Sequence, residues 1–177
     1  MKKRKLIAPA AMEQAMENFL NEIHDVKDRR GNRIRCVMVH QQEPTFCVYA
    51  ADIGKSMMRI GYSLENLWRK TPHYFTNNFR SRCTMSHGFA DVTLCLLHEL
   101  GHLSSQQKFK GYDRRQEMSK IQTQLWLKEI TLAQANEIYF QFPDENAATM
   151  WAIEWLSNAE NRKIAKAFEK RFFACFD

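Results

Sequence analysis

A chain of 177 residues with 45% hydrophobic and 26% charged residues has the balance of a globular protein large enough to bury a core, which argues against an intrinsically disordered or low-complexity chain. No run of about 18 apolar residues occurs, so no membrane span is expected. The net charge of +6 is dispersed over Lys2-Lys3-Arg4-Lys5 and the stretches 29 to 35 and 162 to 171, without the aromatic spacing of a nucleic-acid motif, so nucleic acid is not indicated as a partner.

The five cysteines, Cys36, Cys47, Cys83, Cys95 and Cys175, are odd in number and form no CxxC pair. Several stand among apolar neighbours, as in CVMV and FCVYA, where a reduced thiol behaves as a small hydrophobe rather than as half of a disulfide framework. The opening MKKRKLIAPAAMEQ has a basic run, but its apolar stretch is broken by Pro9 and ends at Glu13, too short for a signal-peptide core. A cytoplasmic location is expected.

In chain order, residues 11 to 27 place Met12, Met16, Phe19, Leu20 and Ile23 at spacings of three and four, which predicts an amphipathic helix ended by DRRGN at 28 to 32. IRCVMV (34 to 39) and TFCVYA (45 to 50) are short, β-branched and aromatic, with HQQEP between them as a turn, and SMMRIGY (56 to 62) reads as a third strand. Three strands with short links predict a small, mostly antiparallel sheet. LENLWRK, led by Ser63, starts like a capped helix, and TPHYFTNNFRSRC (71 to 83) reads as an aromatic-rich loop. FADVTLCLLHELGHLSSQ (89 to 106) is apolar on nearly all sides as far as HELGH, the mark of a buried helix. GYDRR reads as a turn. MSKIQTQLWLKEI, LAQANEIYFQF, PDENAATMWAIEWLSNA and NRKIAKAFEKRFFACF then carry helical patterns to the end. Trp126, Trp151 and Trp155 fall at helical positions and are expected in the core. The sum is an α+β fold, read as one domain over 1 to 177, with residues 1 to 10 a basic lead-in that requires no fixed structure.

The chemistry concentrates in HELGH, residues 98 to 102. Residues i and i+4 of a helix project from one face, so His98 and His102 can offer both imidazoles to one ion while Glu99 stands beside them as general base. Composition alone would supply an HExxH on the order of 0.01 to 0.02 times per chain of this kind, so chance is a poor explanation. Two histidines and a carboxylate on a buried helix cost free energy unless they are partnered, and Gly101 costs roughly 1 kcal/mol against alanine unless another element must come close. The expected cofactor is a zinc ion acting as Lewis acid.

Catalytic zinc needs a third protein ligand, and no histidine follows His102, which excludes the metzincin pattern HExxHxxGxxH. The upstream His24, His40, His73 and His87 remain formal options. Among downstream acids, Asp113 and Glu117 follow the motif too closely, and Glu129, Glu160 and Glu169 have basic neighbours and read as solvated faces. Glu145 differs, because it opens a helix behind Pro143 and Asp144, with Ala148, Thr149 and Ala152 at i+3, i+4 and i+7 as a small-residue stripe in line with its carboxylate. Glu154 lies roughly 180° round that helix and faces away. Glu145 is the preferred third ligand, with Asp144 and Glu137 as alternatives; as a first-turn acid it also suits the helix dipole with no metal at all.

Glu145-x-x-Ala148-Thr149-x-Trp151-Ala152-x-x-Trp155-Leu156 resembles the E-x-x-A-N-x-F-A-x-x-L-L stretch of the ImmA/IrrE-type metallopeptidases, which carry HELGH upstream and use that Glu as a metal ligand. The broader resemblance is to gluzincin-like zincins, with a small sheet beside the active-site helix. It implies a zinc-dependent metallopeptidase acting on a protein or peptide substrate, such as a repressor. Tyr139, Tyr112 and His87 are the candidates for stabilising an oxyanion. The competing reading is a non-catalytic zincin-fold module that binds protein or nucleic acid.

Overall fold

The computed structural model describes residues 5–28, 30–40, 47–48, 57–63, 74–105, 109 and 112–177. Pro9 occupies the start of the first helix, α1 (Pro9–Ile23), where its missing N–H and fixed φ are harmless. The predicted stripe is the buried face: Met12, Met16, Phe19 and Leu20 are fully enclosed. Three strands follow, β1 (Arg35–His40), β2 (Cys47–Val48) and β3 (Met57–Tyr62), and then the helices α2 (Tyr74–Arg82), α3 (Asp91–Ser105), α4 (Arg114–Trp126), α5 (Leu132–Phe140), α6 (Pro143–Ser157) and α7 (Ala159–Phe173). The α+β, zincin-like arrangement is therefore present, with an N-terminal helix, a small sheet and a helical C-terminal half.

The sheet corrects one expectation. Its order is β1-β3-β2, and its long pairing is parallel, running from Arg35 opposite Met57 to His40 opposite Tyr62, while the antiparallel pairing joins only Cys47 to Gly61 and Val48 to Ile60. Short links predict antiparallel neighbours, but the third strand is inserted between the first two. β3, with Met58, Ile60, Gly61 and Tyr62 buried, takes the centre and runs parallel to β1, as suits a strand largely covered by other elements. Gln41 to Pro44 of the HQQEP turn, most of TFCVYA, LENLWRK and His73 lie outside the described residues.

α1 does more than cover the sheet. The Asn21 side chain donates to the Cys36 carbonyl at 2.9 Å and accepts from the Cys36 N–H at 2.9 Å, and Glu17 accepts from the Met38 N–H at 3.0 Å. These outward-facing backbone groups of β1 are thus satisfied by side chains.

Three further departures concern the helices. The aromatic passage before Cys83 contains α2 rather than a loop, and the chain reaches α3 through a 3-10 turn at Thr84–Gly88. Trp126 is 81% exposed, not in the core, whereas Trp151 and Trp155 are partly buried against it. Glu169, read as solvated, is buried and turned onto the start of the motif helix, where it accepts from the Ala90 N–H at 2.6 Å and the Thr93 hydroxyl at 2.9 Å. Lys166, 2.7 Å away, balances its charge. A negative group here satisfies free N–H donors and suits the helix dipole.

α7 thereby holds α3 from below, and it packs on α1 through stacked Phe168 and Phe19 rings 4.4 Å apart. Leu6 bridges Phe176, and the Asp177 N–H donates to the Lys5 carbonyl, so the chain from Lys5 onward is tied to the C-terminal end. Glu169→Ala is expected to lower unfolding stability by about 1–2 kcal/mol in urea titration, with Glu169→Gln recovering part of the loss. An unchanged midpoint would show that Glu169 does not cap α3.

Candidate metal centre

α3 is buried over nearly its whole length, including His98 and Glu99. Such a helix tolerates polar side chains only where a neighbour answers them, and the neighbour is α6, which crosses it in the most extensive helix-helix contact among the described residues. The crossing point is Gly101. A Cβ added there would stand 2.3 Å from the Ala148 carbonyl oxygen and 2.8 Å from the Ala148 Cα, so only glycine lets the backbones approach this closely. α6 presents Glu145, Ala148, Thr149, Ala152 and Leu156 as its buried face, the first four being the stripe expected from the sequence.

This approach brings three ligands of two types together. His98, His102 and Glu145 each offer one donor atom, and the three atoms lie within 4.8 Å of one another. His98 Nε2 is 3.0 Å from Glu145 Oε2, His102 Nε2 is 3.5 Å from Glu145 Oε1, and the imidazoles stand edge to face at 4.7 Å. Thr149 Oγ1 lies 3.2 Å from His98 Nδ1. That contact orients the ring, with Nε2 turned toward Glu145 Oε2 and the cluster.

The donor set tests which ion fits. Two imidazoles and one carboxylate suit a borderline transition cation such as zinc, whereas calcium and magnesium take all-oxygen surroundings. Three protein donors leave a fourth tetrahedral position for water or substrate, as catalytic sites require. His102 is partly exposed, which puts the open side of the cluster at that ring.

A second layer holds Glu145. Tyr139 donates its hydroxyl to Glu145 Oε1 at 2.6 Å, and the Arg114 guanidinium reaches the same oxygen at 2.5 Å while its other arm meets Asp144 Oδ2 at 2.9 Å. Arg114 also bonds the Tyr139 hydroxyl and lies over that ring, 5.1 Å from its centroid. Burial opposes ionisation of Glu145, but the hydrogen bonds and charges of His102 and His98 outweigh it and hold the carboxyl well below the usual range. Burial depresses His98, while for His102 burial is outweighed by Glu145 and its pKa rises. Glu99 is pushed up to about 7, chiefly by burial and with the Glu145 charge adding to it, a value suited to giving and taking a proton near neutrality.

Of the remaining candidates, Asp144 lies beside Glu145 but pairs with Arg114, and Glu137 is exposed on α5; neither joins the donor cluster. His24 is buried against Cys36, and His87 is exposed on the 3-10 turn. Glu154 faces solvent as expected. Tyr139 is committed to Glu145, and the Tyr112 hydroxyl is buried with no hydrogen-bond partner among the described residues. Arg114 was missed because GYDRR reads as a turn. Asp113-x-x-Gln116 is a helix-start pattern that could have found it, since Asp113 caps α4 by accepting from the Arg115 and Gln116 N–H groups and leaves Arg114 as the first helical residue.

Comparison with protein-family models, with curated proteins and with solved structures finds no match to this chain.

Proposed function

We propose that the chain is a zinc-dependent metallopeptidase of zincin type that hydrolyses peptide bonds of a protein substrate. The observation that carries the reading is the convergence of His98, His102 and Glu145 donor atoms within 4.8 Å, with Glu99 on the same helix. His98 and His102 from α3 and Glu145 from α6 would hold the ion. Zinc bound there supplies Lewis acidity, lowering the pKa of a water and polarising a carbonyl. Glu99 takes the proton of the attacking water and delivers it to the leaving amine. Thr149 fixes the His98 ring through Nδ1.

The E-x-x-A pattern of α6 supports a relationship to the ImmA/IrrE-type peptidases, for which a regulatory protein such as a repressor is the natural substrate class. Cys36, Cys83, Cys95 and Cys175 are free and buried, in keeping with a cytoplasmic protein. The test is elemental analysis beside a cleavage assay. Wild type should carry stoichiometric zinc and Glu145→Ala should lose most of it. A purified wild-type chain that takes up no zinc sinks the proposal, and one that binds zinc but cuts no peptide library points to the binding-module reading.

A further inference from the structure

The residues around Glu145 form a shell that the chemistry of peptide hydrolysis does not itself demand. Arg114 Nη1 lies 2.9 Å from Asp144 Oδ2 and Nη2 lies 2.5 Å from Glu145 Oε1, so one planar fork spans two adjacent carboxylates on the first turn of α6. The same Glu145 oxygen accepts from Tyr139 at 2.6 Å, while Oε2 is left facing His98 at 3.0 Å. The two oxygens are thereby made unequal: Oε1, 3.5 Å from His102 Nε2, is also tethered to α4 and α5, whereas Oε2 carries neither tether and faces His98. Glu145 needs such a tether, because a glutamate has several free torsions and Pro143 and the backbone of α6 fix only its Cα.

We propose that Arg114 is a positioning residue, which through its paired contact with Asp144 holds Glu145 in the ligating orientation and so sets the metal affinity of the site. The inference rests on the metal-site reading above. Two effects of Arg114 oppose each other. Its charge draws electron density from Glu145 and repels a cation, which would weaken binding; its fork orients the carboxylate, which strengthens it. Asp144 decides between them. The Arg114–Asp144 pair carries no net charge, so repulsion toward the ion is largely cancelled while the geometric restraint remains. The partners that orient metal ligands are typically worth 10–100-fold in affinity. Lysine cannot replace the fork, since one ammonium does not present two parallel donors to neighbouring carboxylates.

The experiment measures the zinc dissociation constant of the full chain by competition with a chromophoric chelator, together with urea unfolding of the metal-free form. Arg114→Ala and Arg114→Lys should each weaken zinc binding by about 10–100-fold with unchanged stoichiometry. Asp144→Asn should weaken it too, because it leaves the guanidinium uncompensated beside the ion. The double variant Arg114→Ala with Asp144→Asn should cost no more than Arg114→Ala alone, as expected for two members of one unit. A merely structural role would lower the metal-free unfolding midpoint and leave the affinity of the folded chain untouched, which would overturn the proposal. So would zinc binding by the Arg114 variants at wild-type strength or tighter. If Arg114→Ala does not fold, the near-isosteric Asp144→Asn carries the comparison. A wild-type chain that binds no zinc removes the metal reading itself, whereas a wild type that binds beside variants that match it removes only the role of Arg114.

Discussion

Gly101→Ala is expected to destabilise the folded chain by about 2 kcal/mol or more and to strip the site of most of its metal. Intrinsic preference runs the other way, since alanine in place of a mid-helix glycine gains about 1 kcal/mol. Sterics must therefore overcome that gain, and they do. The new methyl would stand 2.3 Å from the Ala148 carbonyl oxygen and 2.9 Å from its carbonyl carbon. These are backbone atoms of a packed helix, not the end of a flexible side chain, so α3 and α6 must separate. Ala148 is one turn from Glu145, and any separation carries the carboxylate away from His98 and His102. Urea unfolding of the metal-free chain and zinc content of the purified variant read the two effects independently. A variant as stable as wild type and fully loaded would show that α6 does not press on α3 at this point.

Glu99→Gln is expected to leave zinc content unchanged and to reduce peptide hydrolysis by about 10²–10⁴-fold. Glu99 lies outside the group of donor atoms, and the amide keeps its size and shape while losing the ability to take a proton. Its burial makes the substitution cheap, because an amide in that place does not bear the cost of a desolvated charge. The variant should accordingly be at least as stable as wild type at neutral pH. The measurement is cleavage of a peptide that the wild type hydrolyses, with metal content determined on the same sample; undiminished turnover would assign the proton transfer to another group.

The centre of the site was legible because its constraints are local or periodic. His98, Glu99 and His102 are fixed relative to one another by helical geometry, and the Glu145 stripe has the same period, which made Glu145 the preferred partner while Asp144 and Glu137 stayed open. Gly101 added the closeness of the crossing. The surroundings were hidden for a different reason. Arg114 acts from the first residue of a helix whose start was taken for a turn, and Glu169 stands among Lys166, Lys170 and Arg171, company that suggests a solvated face when only chain neighbours are seen. Its true partners, the Ala90 N–H and the Thr93 hydroxyl, belong to α3. The strand order was unreadable from link length, since the later strand is inserted between the two earlier ones whatever the length of the links. Trp126 shows the converse, a large apolar side chain on a helical pattern that the tertiary packing leaves uncovered.

The contacts of Asn21 and Glu17 with β1 have a consequence beyond the site. A strand at the margin of a sheet is a template on which further chains can add, and proteins guard such margins to avoid aggregation. Here the guard is a helix: two of its polar side chains occupy the N–H and carbonyl of Cys36 and the N–H of Met38, the groups that an incoming strand would use. Along that stretch β1 cannot be extended by a second copy of the protein. Asn21, remote in sequence from the motif and outside the donor cluster, thus closes part of an edge on which another strand could otherwise add.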